Sequence, residues 1–434
     1  MHICFVTTEF VTEGFFCGGL ANFTANMARI FYENKHKVTV LVATNKNKNY
    51  IWNGGINVVC VNRFENNLIS YLSSGKFKNI NFSIFIQKVI GSYICREKIK
   101  EINSNNKIDI IHYCNLEGLA LITNDIPYIV RLSCYNNLWK GAYKQYFSNN
   151  YRDNPKDATD FIEELSVRHS RVVVSPSKLL ADITENNLDK KAIVIESPYY
   201  LNNLQWNYNI YKDKLEGKKY ALFFGTLGYM KGAHILADIV YEFLDKYKDM
   251  NLVMIGKEKN IYKEKKECKA SYVIKENAME YKDRVIYFNE MGKDSLYPII
   301  ENASFCILPS RIDNLPNTCI EAMSLKKIVI GTYNASFEQI IENGVSGYLC
   351  KRDVPKSYLN AIGKVMKLSH EEKVFMENMA FSRIKLLEPK RIYMQYMLLY
   401  KKVIRISNSR NIEKRRFSCI KILNMILGKN LMKM

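Results

Sequence analysis

The chain has 434 residues, 47% of them hydrophobic, which exceeds what one core usually organises and predicts two packed domains. Its eleven cysteines form no Cys-x-x-Cys pair and fall mostly in apolar runs, which speaks against a disulfide framework and predicts reduced, buried thiols in a cytosolic protein. The formal charge of +20 calls for an anionic partner: a membrane surface, nucleic acid, or small phosphorylated ligands. No zinc-ligand spacing, RNP-type aromatic signature or heptad-backed basic region is present, so nucleic acid is not expected. His2-Ile3-Cys4-Phe5-Val6 has no charged leader, and no apolar run approaches the roughly 18 residues that cross a bilayer, so neither secretion nor a membrane-spanning helix is expected.

In chain order, short β-branched runs alternate with longer helical patterns, which predicts a parallel sheet covered by helices. Strands are expected at 3–7, 37–42, 56–61, 108–112, 128–132, 171–174 and 192–196, and a helix at 20–32 with Ala21, Phe23, Ala28 and Phe31 on its buried face. These make a first Rossmann-like domain over 1–198. The stretch 199–217 is rich in Asn, lacks a period, and reads as a linker. The pattern restarts with strands at 220–225, 251–256, 285–288, 304–308 and 328–331 and a helix at 233–243, a second doubly wound unit over 218–388. A last helical pattern at 389–405 could return to the first unit. The segment 406–434 reads as a basic amphipathic tail: from Lys401 onward ten Lys or Arg are opposed only by Glu413 and interleaved with Phe417, Ile420, Leu423 and Leu427. A surface-lying helix on anionic membrane and a solvated tail explain that composition about equally well. The fold class is thus α/β, with two doubly wound units facing a cleft at the carboxyl ends of their strands.

Three turns carry the candidate chemistry. Cys17-Gly18-Gly19-Leu20 follows the first strand and precedes a helix, where backbone can approach a ligand and free amides can face an anion; a tight turn explains an isolated Gly-Gly equally well. The Gly-x-Gly-x-x-Gly dinucleotide spacing is absent. The second unit opens with Phe224-Gly225-Thr226-Leu227-Gly228-Tyr229-Met230-Lys231-Gly232, where Lys231 over the turn could clamp a diphosphate leaving group. An exposed surface lysine is the plainer reading of that motif taken alone. The strongest signal is Pro309-Ser310-Arg311-Ile312-Asp313-Asn314-Leu315-Pro316-Asn317-Thr318 leading to Glu321, a polar strand-to-helix turn with Asp313 and Glu321 separated by seven residues. Two such carboxylates can grip hydroxyls at both ends of a nucleotide-sugar, or can be a cap and a solvated helix glutamate. The place of this turn at a strand's carboxyl end favours the first.

With these motifs in this order, the chain from Ile3 to about Ile404 resembles glycosyltransferase family 4, retaining enzymes of GT-B architecture that use nucleotide-sugars. The segment Ala335-Ser336-Phe337-Glu338-Gln339-Ile340-Ile341-Glu342-Asn343-Gly344-Val345-Ser346-Gly347-Tyr348-Leu349 resembles the stretch that follows the family's acidic motif. The resemblance implies that Lys231 contacts the donor diphosphate, Glu321 the ribose hydroxyls, and Asp313, the catalytic candidate, the transferred sugar. It places Gly18, Gly19, Thr226, Asn314, Leu315, Pro316, Asn317 and Thr318 around the donor. It implies that no cofactor or metal is needed; taken with the acidic motif, Lys231 and the basic tail, it leads us to expect a UDP- or GDP-linked donor and a lipid-linked or polysaccharide acceptor, in a cytoplasmic protein that could sit peripherally at the inner membrane face. Three positions depart from the family: Asp313 stands where Glu is common, Thr226 where Arg is frequent, and Ser133 where many members have a histidine facing the donor sugar. His112, the nearest imidazole in sequence, reads as a buried structural residue. A non-catalytic GT-B-like subunit that binds a nucleotide or glycan is the alternative, and a sugar-nucleotide epimerase a third reading.

Overall fold

The computed structural model describes residues 1–13, 18–64, 80–134, 158–200, 205–263 and 266–408. Eight strands form a first sheet: β1 (His2–Thr7), β2 (Lys37–Thr44), β3 (Lys48–Trp52), β4 (Ile56–Asn62), β5 (Ile110–Cys114), β6 (Tyr128–Arg131), β7 (Val173–Ser175) and β8 (Ala192–Val194). Their order is β3-β4-β2-β1-β5-β6-β7-β8, parallel throughout except for β3, which runs antiparallel to β4 at the edge. Every residue of β1 and β5 is buried, as strands covered on both faces require, and this is why they read as unbroken apolar runs.

The second unit begins with β9 (Lys219–Phe224) and β10 (Met250–Ile255), followed by a small antiparallel pair, β11 (Asn260–Lys263) and β12 (Lys266–Lys269). It continues through β13 (Val285–Phe288), β14 (Phe305–Leu308), β15 (Val329–Thr332) and β16 (Tyr348–Cys350). The order β13-β10-β9-β14-β15-β16 is parallel throughout. In both sheets the chain winds outward to one side of its first strand and then returns to wind out on the other. The reversal falls between β1 and β5 in the first sheet and between β9 and β14 in the second. A crevice opens at each of these points, outside the carboxyl ends of the strands.

The segment 199–217 is not an unstructured connection. It carries the helix Asn209–Lys214, and Tyr199 N donates to the Leu387 carbonyl at 2.9 Å. The last described helix, Pro389–Asn408, packs on the first unit, not the second: Ile392, Tyr396, Leu399, Tyr400 and Val403 join Phe5, Phe23, Phe31 and Ile110 in one core. Tyr400 stacks on Phe31 at 5.3 Å and its hydroxyl bonds His112 Nδ1 at 2.7 Å. His112 is buried here as a structural residue, its pKa held well below the ordinary value by burial and by the Arg131 charge. Arg131 lies beneath the helix Gly19–Glu33, its guanidinium 3.4 Å from the centroid of Phe23 and donating to Ser197 Oγ at 2.8 Å.

The two units also meet around Gln339. Its amide donates to Glu196 at 2.7 Å and to the Pro176 carbonyl at 3.2 Å, and its carbonyl oxygen accepts from Lys178 N at 2.7 Å. Arg383 completes the joint by pairing with the same Glu196. Among the described residues no helix is long and apolar enough to cross a membrane. The tail expected at 406–434 lies outside the described residues beyond Asn408, and so does Cys17.

Candidate functional site

The crevice between β9 and β14 brings together the two turns singled out in the second unit. After β9 the backbone passes Gly225 and half-buried Thr226, makes a tight helical turn over Tyr229–Lys231, and enters the helix Ala233–Lys246 through Gly232. Gly232 has φ of +82°, and a Cβ there would overlap the Pro309 carbonyl oxygen, so the turn 225–232 and the strand end that opens the acidic motif touch through bare backbone. Gly232→Ala is expected to cost at least about 2 kcal/mol, from left-handed strain plus the displaced strand end. A thermal melt would show it, and an unchanged midpoint would contradict this contact.

The Lys231 ammonium forms an ion pair with Asp313 Oδ2, while Asp313 Oδ1 accepts from the amide of Asn314 at 3.1 Å. A cation suited to a diphosphate and a carboxylate suited to a sugar hydroxyl therefore meet at the switch point. Leu315 is buried in the second core, Pro316 occupies the cap position of the helix Asn317–Ser324, and no side chain caps that helix. Its first amides are thus free of a capping side chain. Thr318 faces Gly225, where a Cβ would meet its Cγ2 at 3.4 Å. Glu321, in the second turn, is largely buried and its Oε1 pairs with Lys293 at 2.7 Å. Each of the two motif carboxylates is therefore held by a different lysine.

Behind this surface lies a buried support that the sequence motif contains but does not advertise. Arg311 donates from Nη2 and Nε to Asp353 at 2.6 and 3.0 Å, from Nη1 to the Tyr229 hydroxyl at 2.6 Å, and from its backbone amide to the Met230 carbonyl at 3.0 Å. His234 Nε2 contacts the other Asp353 oxygen at 3.0 Å, and its ring lies against Tyr229 at 4.4 Å. Burial would raise the Asp353 carboxyl, but the hydrogen bonds and charges of His234 and Arg311 outweigh it and hold its pKa below the usual carboxylate range. Arg311 thus locks the turn carrying Lys231 to the strand end carrying Asp313. Lysine cannot reproduce this fork. Arg311→Lys is expected to weaken donor binding by about tenfold with the fold retained, read as a rise in nucleotide Kd by calorimetry.

Across the cleft, Asn314 Nδ2 donates to the Ser133 carbonyl. Asn115, just after β5, fixes that backbone by accepting from Ser133 N at 2.7 Å and donating to the Cys134 carbonyl at 2.7 Å. Among the described residues, Ser133 Oγ and Asn314 Oδ1 are both buried without a hydrogen-bond partner, so the first-domain candidate faces the acidic motif with unspent hydrogen-bonding capacity. Gly19 lies opposite Asn317: a Cβ on Gly19 would sit 3.5 Å from Asn317 Nδ2. Burial raises the pKa of the Glu9 carboxyl above its ordinary value, the nearby Ala21 amide acting the other way. A Cβ on Gly18 would stand 3.2 Å from Glu9 Oε2. Among the described residues no group of three or more His, Cys, Asp or Glu is arranged to hold a metal ion.

Residues 207–380, which contain Lys231, Asp313 and Glu321, match the family model described as Glycosyl transferases group 1. The chain is 25% identical over 308 residues to an uncharacterized glycosyltransferase of Methanocaldococcus jannaschii, covering 70% of this chain and 76% of that protein. Among solved structures it is similar to a sucrose-phosphate synthase from Thermosynechococcus elongatus, with a TM-score of 0.68 at 13% identity over 93% of this chain and 99% of that one. The catalytic domain of starch synthase IV from Arabidopsis thaliana, bound to ADP and acarbose, gives 0.64 at 13% identity over the same shares, 93% and 99%. The fold is GT-B. The family match and the archaeal relative indicate a glycosyltransferase.

Proposed function

We propose that the protein is a retaining glycosyltransferase that moves a sugar from a UDP- or GDP-linked donor to a lipid-linked or polysaccharide acceptor in cell-surface glycan synthesis. The observation that carries this reading is the meeting of Lys231 and Asp313 at the β9/β14 crevice, with Glu321 in the helix that starts there. The donor diphosphate lies against Lys231 and the first amides of Asn317–Ser324, where positive charge and free donors favour it most as negative charge grows on the leaving oxygen. Glu321 accepts both hydroxyls of the ribose, taking the place of its Lys293 contact. Asp313 holds a hydroxyl of the transferred sugar. Asn314 and Ser133 approach the same sugar from opposite sides of the cleft. The bond between the anomeric carbon and the diphosphate oxygen breaks, the acceptor oxygen adds to the same face, and its proton passes to the departing phosphate. With Lys231 and the helix amides to meet the leaving charge, this reading needs no bound metal.

Support from outside the chain is consistent in kind: a structure similar in fold holds ADP and acarbose, a nucleotide and a sugar chain. A panel of UDP- and GDP-sugars assayed for release of nucleoside diphosphate tests the reading. One donor is expected to be consumed. Tight nucleotide binding with no turnover of any donor would instead favour a binding subunit.

A further inference from the structure

The helix Pro389–Asn408 is 20 residues long, or about 30 Å, and its two faces have opposite character. One face is spent in the core of the first unit, through Ile392, Tyr396, Leu399, Tyr400 and Val403. At 100° per residue, Lys390, Arg391, Met394, Leu398, Lys401, Lys402 and Arg405 fall on one continuous arc on the opposite side, and all seven are exposed. Leu398 is 72% exposed and Met394 49%, near the middle of that arc, with the cations on either side. The helix contains no Asp or Glu, and among the described residues none of these five cations forms an ion pair. A water-facing helix ordinarily pairs its lysines with acidic residues three or four positions away and keeps its large apolar side chains inward. This face does neither.

We propose that the outward face of Pro389–Asn408 is a docking surface for an anionic lipid bilayer. Its cations meet the phosphates of acidic headgroups, while Met394 and Leu398 enter the headgroup and acyl boundary. Aliphatic stems of lysine and arginine lie along the same apolar strip with their charges raised to the phosphates. A nucleic acid would satisfy the cations but would leave two apolar side chains against a phosphate backbone, so the pairing of charge with exposed Leu398 favours lipid. The inference does not rest on the donor site, and it concerns an element distinct from the basic segment that follows Asn408. Because this helix packs on the first unit, the surface would bring that unit to the membrane directly.

The test uses the full-length chain in co-sedimentation with vesicles of phosphatidylcholine alone or mixed with phosphatidylglycerol, at low and high salt. Binding is expected only to the mixed vesicles and is expected to weaken with salt. Replacing Lys390, Lys401, Lys402 and Arg405 together by Glu is expected to lower partitioning at least about tenfold, and Leu398→Asp alone by about threefold or more, whereas a chain ending at Asn408 keeps the salt-sensitive preference. Nucleoside diphosphate release in solution and the thermal midpoint, unchanged in the Leu398→Asp variant, report that the protein is folded; should no donor be turned over, the vesicle result stands by itself. Loss of binding on truncation alone, with the charge-reversed and Leu398→Asp chains binding as before, would overturn the proposal in favour of the tail. Equal binding to a DNA duplex that Leu398→Asp does not weaken would overturn it in favour of nucleic acid.

Discussion

Glu321→Ala is expected to lower kcat/KM for the donor at least about a thousandfold, the loss anticipated when a buried charged contact to substrate is removed and its partner left without a counter-ion. Glu321 is largely enclosed, and among the described residues its only ion pair is the 2.7 Å contact to the half-exposed Lys293. In the structure Lys293 pairs with this carboxylate; on the function proposed above, the ribose diol of the donor takes that place. Two further variants separate this account from a merely structural role. Glu321→Gln keeps the volume and one acceptor and is expected to fall between the parent and the alanine variant. Lys293→Ala removes the competitor and is expected to leave kcat intact. A Glu321→Ala protein that melts normally and turns over donor normally would remove Glu321 from the site.

Lys231→Ala is expected to reduce kcat by about a hundredfold or more, with a smaller change in KM: in the proposed reaction charge grows on the leaving diphosphate toward the transition state, which a lysine at this turn would stabilise more than the bound donor. The same substitution strips Asp313 of its ion-pair partner. Part of the effect is therefore misplacement of the carboxylate, and the double variant with Asp313→Asn apportions it: near-additive losses mean separate contacts, while a double variant no worse than either single one means that the pair acts as a unit. A rise in KM with kcat untouched would mean that Lys231 binds donor but plays no part in the leaving step.

Much of the fold was legible because parallel strands covered on both faces must be apolar along their whole length, and β1, β2, β9 and β10 announce themselves in this way. What escaped was of another kind. β3 alternates exposed and half-exposed residues at the sheet edge, β16 has three residues, and the pair β11 and β12 is mostly polar, so none shows a run that periodicity can detect. The helix Asn209–Lys214 buries no residue and so leaves no apolar stripe in the segment read as a linker. At the site, glycines and carboxylates at strand ends could be found because each unit's turn chemistry is local. Asn115, Lys293 and the Arg311–Asp353 pair could not, since their meaning lies in partners distant in sequence: 42 positions separate Arg311 from Asp353, and 82 separate it from Tyr229. Arg311 sat inside the motif in plain view, and only its burial against Tyr229 and Asp353 shows that it supports the turn and does not face the cleft. Position alone gave a hint for Asn115, the first residue after the strand that borders the first crevice.

On the function proposed above, the crevice between β9 and β14 is a donor site at which a nucleotide-sugar is cleaved. The most direct measurement is release of UDP or GDP from a panel of nucleotide-sugars by the purified protein, run beside Glu321→Ala. One donor is expected to be consumed by the parent protein and spared by the variant, with the released nucleotide matching the base of that donor. Equal release by both proteins, or nucleotide binding by both with no release, would contradict it.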